Sequence, residues 1–124
     1  MPEPRIVVRR VYDPPSGGEE GCLRILAERL WPRGVRKAEL KLDMWPKELA
    51  PSTELRRWFR HDPAKWEEFR ARYFAELDSK RELVEELCRA IAERGCAVLL
   101  YSARDREHNS AVALRDYLLE RCGW

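Results

Sequence analysis

The sequence has few cysteines and histidines and no glutamine. Its four cysteines include no Cys-x-x-Cys pair and are accompanied by only two histidines, so the spacings of a zinc knuckle and of a redox dithiol are both absent. We therefore expect no metal, no cofactor and four ordinary buried thiols. The missing glutamine, the single asparagine and the predominance of arginine and glutamate are typical of thermophiles, whose cytosolic proteins do contain disulfides. Genome base composition produces the same arginine bias.

Long apolar runs and charge of one sign are also lacking. No run of 18 apolar residues exists, and residues 1–10 lack the apolar core and the cleavage site of a signal peptide. This pattern predicts a cytoplasmic protein that has no membrane contact. Twenty-four basic residues stand against 22 acidic ones, and the resulting net charge of +2 is too balanced for a broad DNA-binding footprint. Nucleic acid is therefore not the expected partner.

The length and composition that are present indicate one globular domain. A chain of 124 residues buries roughly two-thirds of its unfolded surface on folding, which is enough for a real core. The charged fraction of 37% exceeds the usual one-quarter, and the excess belongs on a solvated surface. We predict a single domain that spans residues 1–124.

Three segments have the composition of strands. Residues 5–12 are short and β-branched, and the Pro/Gly-rich residues 13–18 end them. Residues 22–31 could form a helix, but alternating apolar positions and the Pro-Arg-Gly stop favour a second strand. Only residues 13–21 separate these two strands, so they would pair antiparallel if they were neighbours. The apolar run 96–102 predicts a central strand covered on both faces.

The middle and the end of the chain have helical patterns. We expect a short helix near Arg36, a second one capped by Ser52, and a third that starts at Asp62-Pro63. Residues 79–82 form a capping box for a fourth helix that ends at Gly95, and residues 105–122 form the last one. The residues expected in the core are Trp66, Phe69, Tyr73 and Leu77, then Leu83, Leu87 and Ile91. The fold prediction is a small α/β domain, a short mixed sheet with helices packed on it.

The segment from Arg29 to Gly34 is the first candidate binding element. Arg29 falls on the apolar side of the predicted second strand, where a guanidinium needs a carboxylate or an anionic ligand. A structural ion pair with Glu48 or Asp43 is the alternative. Arg33 lies on a turn between a proline and a glycine, where backbone N–H groups could join its side chain in holding an anion.

The second candidate is the junction between the predicted central strand and the last helix. Ligands of open α/β sheets bind beyond the carboxyl ends of strands, and a helix N-terminus favours anions. This placement makes ligand-binding candidates of Ser102, Arg104, His108 and Asn109. The alternative is that Asp105 caps the helix while His108 and Asn109 are merely solvated.

His61 is the candidate acid-base group. It and His108 are the only side chains whose ordinary pKa suits proton transfer near neutrality. Local packing by the preceding Trp-Phe pair and the Asp-Pro pair that follows favours His61 for catalysis. The alternative is a hydrogen bond from His61 that joins two helices. Whether the protein is an enzyme stays open at this point.

Several motifs resemble those of the YeaO-like family, a branch of a bacterial and archaeal group carried as a domain of unknown function. They are Glu-Arg-Leu-Trp-Pro-Arg-Gly at 28–34, Ala-Pro-Ser-Thr-Glu-Leu-Arg-Arg-Trp-Phe at 50–59, His-Asp-Pro at 61–63, and Leu-Leu-Tyr-Ser-Ala-Arg-Asp at 99–105 with Asn109. The resemblance implies an α/β domain without an established activity, and one pocket formed by Arg29, Arg33, Tyr101 and Asn109. Other branches resemble this one but carry cysteines near positions 101 and 108–110, so thiol chemistry does not transfer here.

Three functions follow as hypotheses. The leading one is an uncharacterised cytosolic protein that binds a small anionic ligand, such as a nucleotide or phosphorylated metabolite, in a strand-end pocket. The alternatives are a nucleic-acid-binding module that uses the arginine-rich residues 56–72 with an exposed Trp45, and a protein-interaction domain without a ligand. We also predict that the loop 13–21 is mobile, because it offers nothing to bury.

Overall fold

The computed structural model describes residues 3–14 and 17–124, and a three-stranded parallel sheet lies at its centre. The strands β1 (Arg5–Arg10), β2 (Leu23–Leu26) and β3 (Cys96–Tyr101) are arranged in the order β1-β3-β2. In the register of the sheet, Val7 lies beside Val98 and Ile25 beside Leu99. The predicted central position of β3 is therefore confirmed, and its continuous apolar run reflects cover on both faces.

The directions of the strands differ from the prediction. The small α/β class is confirmed, but the described sheet is parallel throughout rather than mixed. β1 and β2 are not neighbours, so the condition for antiparallel pairing is not met. In the sequence, residues 11–22 separate the carboxyl end of β1 from the amino end of β2, and this length is just sufficient for a parallel connection.

The described residues also form five α-helices, four between β2 and β3 and one after β3. They are α1 (Lys37–Leu40), α2 (Thr53–Phe59), α3 (Trp66–Asp78), α4 (Arg81–Arg94) and α5 (Ser110–Arg121), with short 3-10 turns at Lys47–Leu49 and Pro63–Lys65. The larger core packs side chains of α2 to α5 onto one face of the sheet, around Ala97 and Leu99. Phe69, Tyr73 and Leu77 of the predicted stripe are buried in it, so that stripe is confirmed.

The other face of the sheet is covered mainly by irregular chain. Leu26, Val98 and Leu100 pack there with Leu40 of α1. The segment that follows β2 adds two tryptophans, Trp31 and Trp45, whose rings meet edge to face with centroids 5.4 Å apart. The sheet is therefore the middle of three layers, with helices on one side and residues 31–45 on the other.

The observed helix ends can be compared with the predicted capping residues. The Ser52 hydroxyl accepts the N–H of Leu55 at 3.2 Å, so this cap is confirmed. The Asp62 carboxylate accepts the N–H of Ala64 at 3.0 Å and so caps the 3-10 turn at Pro63–Lys65, which leads into α3, whereas α3 itself begins at Trp66. Gly95 ends α4 in the left-handed conformation with φ 84°, also as predicted. The capping box is wrong: Ser79 ends α3, where its hydroxyl donates to the carbonyl of Glu76 at 2.6 Å.

The buried face of α4 differs from the prediction at one position. α4 begins at Arg81, and its N-cap residue Lys80 makes no side-chain capping bond. Val84, Leu87 and Ile91 are the buried positions of this helix. Leu83 was expected in the core but is 38% exposed. Val84, three residues before Leu87, therefore takes the core position that was predicted for Leu83, four residues before it.

The cysteines form two disulfides, so the prediction of four thiols is wrong. Cys22, just before β2, is bonded to Cys96 at the start of β3, with their Cα atoms 4.8 Å apart. Cys88 of α4 is bonded to Cys122, just after α5, with a Cα separation of 5.6 Å. Both separations lie in the range that a disulfide spans. The sequence separations of 74 and 34 residues carry no sign of this proximity.

The loop between β1 and β2 contains a buried residue, Glu19, although it was expected to offer nothing to bury. The Arg9 Nε lies 3.0 Å from both carboxylate oxygens of Glu19, and these two residues are each 8% exposed. The nearby Arg24 Nη1 is 3.7 Å from the same carboxylate. The described part of the loop therefore lies beside β1, whereas Pro15 and Ser16, which share the prediction of mobility, are outside the described residues.

Candidate functional site

The loops that follow the three strands all lie at one edge of the sheet. This follows from the parallel arrangement, because the carboxyl ends of parallel strands point the same way. The edge carries residues 11–14 after β1, residues 27–36 after β2 and residues 102–109 after β3. We call this region the strand-end site.

Glu28 is held in the strand-end site by its own backbone and by its neighbours. Ala27 still pairs with β3, since its N–H donates to the carbonyl of Leu100 at 2.9 Å. The indole N–H of Trp45 donates to the Glu28 carbonyl at 2.7 Å, and the Ser110 hydroxyl donates to the Ala27 carbonyl at 2.8 Å. These bonds anchor the backbone from which the Glu28 side chain extends.

The carboxylate of Glu28 is only half satisfied. Its Oε2 accepts a hydrogen bond from the Ser102 hydroxyl at 3.0 Å, whereas Oε1 is buried without a hydrogen-bond partner among the described residues. Burial raises the pKa of Glu28 and outweighs the opposing effects of Ser102, Arg56 and His61. Glu28 therefore offers a buried acceptor at the strand ends, where a donor from a ligand could reach it.

His61 lies near this carboxylate but is exposed. It follows α2 in the left-handed region with φ 56°, and its ring centroid is 6.4 Å from that of Phe59. The expected hydrogen bond between helices is not among the described contacts of His61. What the structure brings together is the carboxylate of Glu28 with the positive charge of Arg56 and the ring of His61.

Arginines surround the other side of the strand-end site. Arg10, the last residue of β1, donates from Nε to the carbonyl of Ala103 at 2.9 Å, and its guanidinium carbon is 4.7 Å from the centre of the Tyr12 ring. The Tyr12 hydroxyl in turn donates to the carbonyl of Arg33 at 2.8 Å. This chain of contacts links the loops after all three strands.

Two further arginines follow β3. Arg106 makes a paired contact with the carboxylate of Asp13 at 2.7 and 3.0 Å, which holds the pKa of Asp13 below its ordinary value. Arg104 and Arg33 are exposed, and neither has a carboxylate within 4.0 Å among the described residues. Their guanidinium groups are therefore the uncommitted cations of this site.

Tyr101 is the last residue of β3, and its side chain is buried. It is 3% exposed, and burial raises the pKa of its hydroxyl, with the nearby Arg106 acting in the opposite direction. The side chain belongs to the larger core with Ala97 and Leu99. Tyr101 therefore lies at the predicted strand end, packed as part of the core.

Arg29 is not where the predicted strand placed it. β2 ends at Leu26, so Arg29 lies in the following loop, and its guanidinium donates to the backbone carbonyls of Ala50 and Pro51 at 3.2 and 3.3 Å. Neither of the suggested carboxylates, Glu48 or Asp43, pairs with it within 4.0 Å. Arg29 joins the loop after β2 to the start of α2.

The segment before α5 uses its polar groups internally. The carboxylate of Asp105 accepts the N–H groups of Glu107 and His108, and its Oδ2 is 2.8 Å from the His108 Nδ1. The His108 ring meets Trp66 edge to face at 5.2 Å. Asp105 therefore shapes this turn, and the cap of α5 is a different residue.

Asn109 is that cap. Its side-chain oxygen accepts the N–H of Val112 at 3.0 Å, and its amide nitrogen donates to the carbonyl of Asp105 at 3.0 Å. With 3% exposure, Asn109 is buried. The structure thus brings Arg33, Tyr101, Ser102 and Arg104 to one edge, while Arg29 and Asn109 face structural partners.

Sequence reasoning missed three residues of the strand-end site: Glu28, Arg10 and Arg106. Glu28 directly precedes the segment chosen for its arginines, and Arg10 lies inside the first predicted strand, two residues before its end at Tyr12. The signal that could have found them is position, because each lies at or just beyond a strand end. The parallel direction of β2 was needed to place Glu28 beside Ser102.

Two clefts lie outside this site. One of about 700 Å³ is lined by Asp78, Arg81, Val84, Glu85, Cys88, Arg89, Tyr117, Arg121 and Cys122. A smaller one of about 360 Å³ is lined by residues of α2 and α3 with Ser52. None of the predicted site residues lines either cleft.

Within residues 3–14 and 17–124, no group of three or more His, Cys, Asp or Glu is arranged to hold a metal ion. The described helices include none that is long and apolar enough to span a membrane.

Comparison with known proteins identifies the family. This chain is 42% identical over 113 residues to the uncharacterized protein YeaO of Escherichia coli strain K12, covering 91% of this chain and 96% of that protein. It is 35% identical over 118 residues to the uncharacterized protein Rv3073c of Mycobacterium tuberculosis strain H37Rv, covering 94% and 95%. No solved structure matches the chain. The resemblance to YeaO-like proteins is confirmed.

Residues 5–123 match the family model described as "Inactive DUF488-N3 subclade". The match leaves out only the ends of the chain. The chain therefore belongs to the inactive DUF488-N3 subclade.

Proposed function

We propose that this protein binds a small anionic ligand, such as a nucleotide or a phosphorylated metabolite, at the strand-end site. The observation that carries the proposal is the pair Arg33 and Arg104. Both are exposed on loops after strands, and neither is neutralised by a carboxylate within 4.0 Å among the described residues. Guanidinium groups suit phosphate because their N–H fork matches its oxygens.

The charge around these two arginines adds support. Arg10 ends β1 at the same edge without an ion pair among the described residues, and Arg106 is paired with the carboxylate of Asp13. Of the four arginines at this edge, Arg106 alone forms an ion pair with a carboxylate among the described residues. An excess of positive charge at one edge attracts anions and raises their local concentration.

Glu28 supports a ligand that has hydrogen-bond donors as well as negative charge. Its buried Oε1 lacks a partner and can accept an N–H or O–H group. Ser102 contacts Glu28, and the next residue, Ala103, contacts Arg10, so the acceptor and the arginines adjoin. Nucleotides and sugar phosphates carry donors and phosphate within one small molecule.

We propose binding without turnover. The description of the matching family contains the word "inactive", and we extend that description to this chain. The Nδ1 atom of His108 is engaged by Asp105, and His61 is exposed beside Glu28. We therefore assign His61 to the electrostatics of the site rather than to catalysis.

Thermal-shift and calorimetric titrations with a panel of nucleotides and sugar phosphates test this proposal. A ligand at 100 times its dissociation constant should add about 2.7 kcal/mol of stability. The double variant Arg33→Gln/Arg104→Gln should lose this stabilisation, whereas Arg57→Gln/Arg60→Gln, which removes two exposed charges from the α2 region, should keep it. A panel without any binder, or equal binding by both variants, would overturn the proposal.

A second candidate function is binding of single-stranded nucleic acid near α2. The ring of the half-buried Trp58 has the Lys65 ammonium at 5.0 Å and the Arg72 guanidinium carbon at 4.4 Å, so aromatic and basic groups are combined there. Trp45, which was expected to be exposed on this surface, is instead half-buried, and its indole N–H is bonded to Glu28. Affinity for oligonucleotides that falls steeply with salt and is lost in Arg57→Gln/Arg60→Gln would favour this candidate.

A further inference from the structure

The cleft of about 700 Å³ contains a disulfide. Cys88 and Cys122 both line it, and both are half-buried. In the other disulfide, Cys22 is only 3% exposed and its partner Cys96 is half-buried, and neither residue lines this cleft. A small molecule that enters the cleft therefore meets the Cys88–Cys122 sulfurs directly.

Charged side chains surround this disulfide, namely three arginines and the carboxylates of Asp78 and Glu85. Arg81, Arg89 and Arg121 all line the cleft. Arg121 is bonded to the carboxylate of Asp78 at 2.7 Å, whereas Arg81 and Arg89 have no carboxylate within 4.0 Å among the described residues. Asp78 is held below its ordinary pKa, first by the Tyr117 hydroxyl and also by Arg121, so it is ionised and committed. Among the described residues, the two arginines without an ion pair outnumber the one such carboxylate of the lining, Glu85, so the cleft favours an anionic molecule over a cationic one.

We propose that the cleft is a site of thiol-disulfide exchange for small anionic thiols, of which glutathione is the test case. The thiolate of the incoming molecule attacks the Sγ atom of Cys88 or Cys122. A new sulfur-sulfur bond forms with the attacked cysteine, the Cys88–Cys122 bond breaks, and its electron pair leaves on the other cysteine as a thiolate.

The arginines assist both partners of this step. They attract the carboxylates of the incoming thiol, and they stabilise the departing thiolate, which leaves more readily where positive charge is near. A second thiolate then attacks the sulfur atom of the small thiol in this mixed disulfide, a bond forms between the two small thiols, and the electron pair of the broken bond leaves on the cysteine. That step returns both cysteines as thiols and oxidises two molecules of the small thiol to their disulfide, so the electrons balance.

The opening of this bond would release the C-terminal turn from α4. Cys122 directly follows α5, and the half-buried Trp124 packs against the larger core two residues later. Breaking the link leaves that contact to hold the end of the chain by packing alone. The proposal is independent of ligand binding at the strand-end site, which lies at other residues.

The test uses the full-length oxidised protein and three thiols of different charge. Glutathione is anionic, 2-mercaptoethanol is neutral and cysteamine is cationic. After timed exposure and acid quenching, peptide mass mapping locates the adducts and the reduced cysteines. We expect adducts at Cys88 or Cys122 well before any at Cys22 or Cys96, and faster reaction with glutathione than with cysteamine.

The variant Arg81→Gln/Arg89→Gln separates recruitment by charge from simple access. Its ratio of glutathione to cysteamine rates should fall about fivefold, as expected for two exposed charge interactions. Its reaction with 2-mercaptoethanol should show the same preference for Cys88–Cys122, and Arg57→Gln/Arg60→Gln should keep the wild-type ratio. Equal reactivity of the two disulfides, or a charge ratio that the Arg81/Arg89 variant leaves unchanged, would overturn the proposal.

Discussion

At the scale of single residues, Glu28 carries a structural cost that the proposed ligand binding would offset. Its carboxylate is buried with one oxygen unpartnered, which is unfavourable for a charged group. Under the proposed function, a ligand donor that bonds to this oxygen would link the stability of the fold to ligand binding.

The variant Glu28→Gln tests this cost through pH. Burial raises the pKa of Glu28, so the folded state keeps a proton that the unfolded chain releases above about pH 4.3. Wild-type stability should therefore fall as the pH rises from there through the raised pKa. We expect Glu28→Gln to be more stable than wild type at pH 7 and similar at pH 4, measured by urea denaturation. A variant that is less stable at pH 7 would show that the charged form is favoured.

Glu19 provides the opposite case, a buried charge that is fully paired. Removing it by Glu19→Ala leaves Arg9 buried beside Arg24 without a carboxylate. We expect a loss of about 3 kcal/mol in the free energy of unfolding, because an uncompensated buried charge is costly. The neighbouring exposed Glu20 serves as the control, and Glu20→Ala should cost about 0.5 kcal/mol. Equal effects of the two variants in urea denaturation would contradict the buried pair.

At the scale of secondary-structure elements, Asn109 is the N-cap residue of α5. Its side chain accepts the N–H of Val112, so Asn109→Ala should destabilise the protein by about 1 kcal/mol, and Asn109→Asp should restore most of the loss. Chemical denaturation measures both variants. If Asn109→Ala kept full stability and lost ligand binding, the residue would belong to the binding site as the sequence suggested.

At the scale of the whole molecule, the two disulfides join parts of the chain that are far apart in sequence. Cys22–Cys96 ties β2 to β3, and Cys88–Cys122 ties α4 to the end of α5. Loops of 74 and 34 residues each lose conformational freedom in the unfolded state when they are closed. The two links therefore stabilise the sheet and the helical layer separately.

The disulfides can be removed one at a time. We expect Cys22→Ala/Cys96→Ala to cost roughly 4 kcal/mol and Cys88→Ala/Cys122→Ala slightly less, since the first closes the longer loop. Differential scanning calorimetry should show a lower Tm for each double variant and for the reduced wild type. Identical Tm values with and without a reductant would show that neither link contributes to stability.

Much of the local structure could be predicted from the residues themselves. The Phe69, Tyr73 and Leu77 stripe, the caps Ser52 and Asp62, and the stop at Gly95 all have local causes in side-chain spacing, hydrogen bonding and backbone freedom. The capping box at Ser79 failed because a serine can also bond back to the preceding helix.

The sequence by itself determined the α/β class, the central strand and the strand-end position of Ser102 and Arg104, because hydrophobic pattern and turn residues act over short distances. Only the tertiary structure decided the parallel direction of β2, the pairing of the four cysteines and the meeting of Glu28 with Ser102. Each of these depends on residues 34 to 74 positions apart, and their approach is set by the packing of the whole chain rather than by any local pattern.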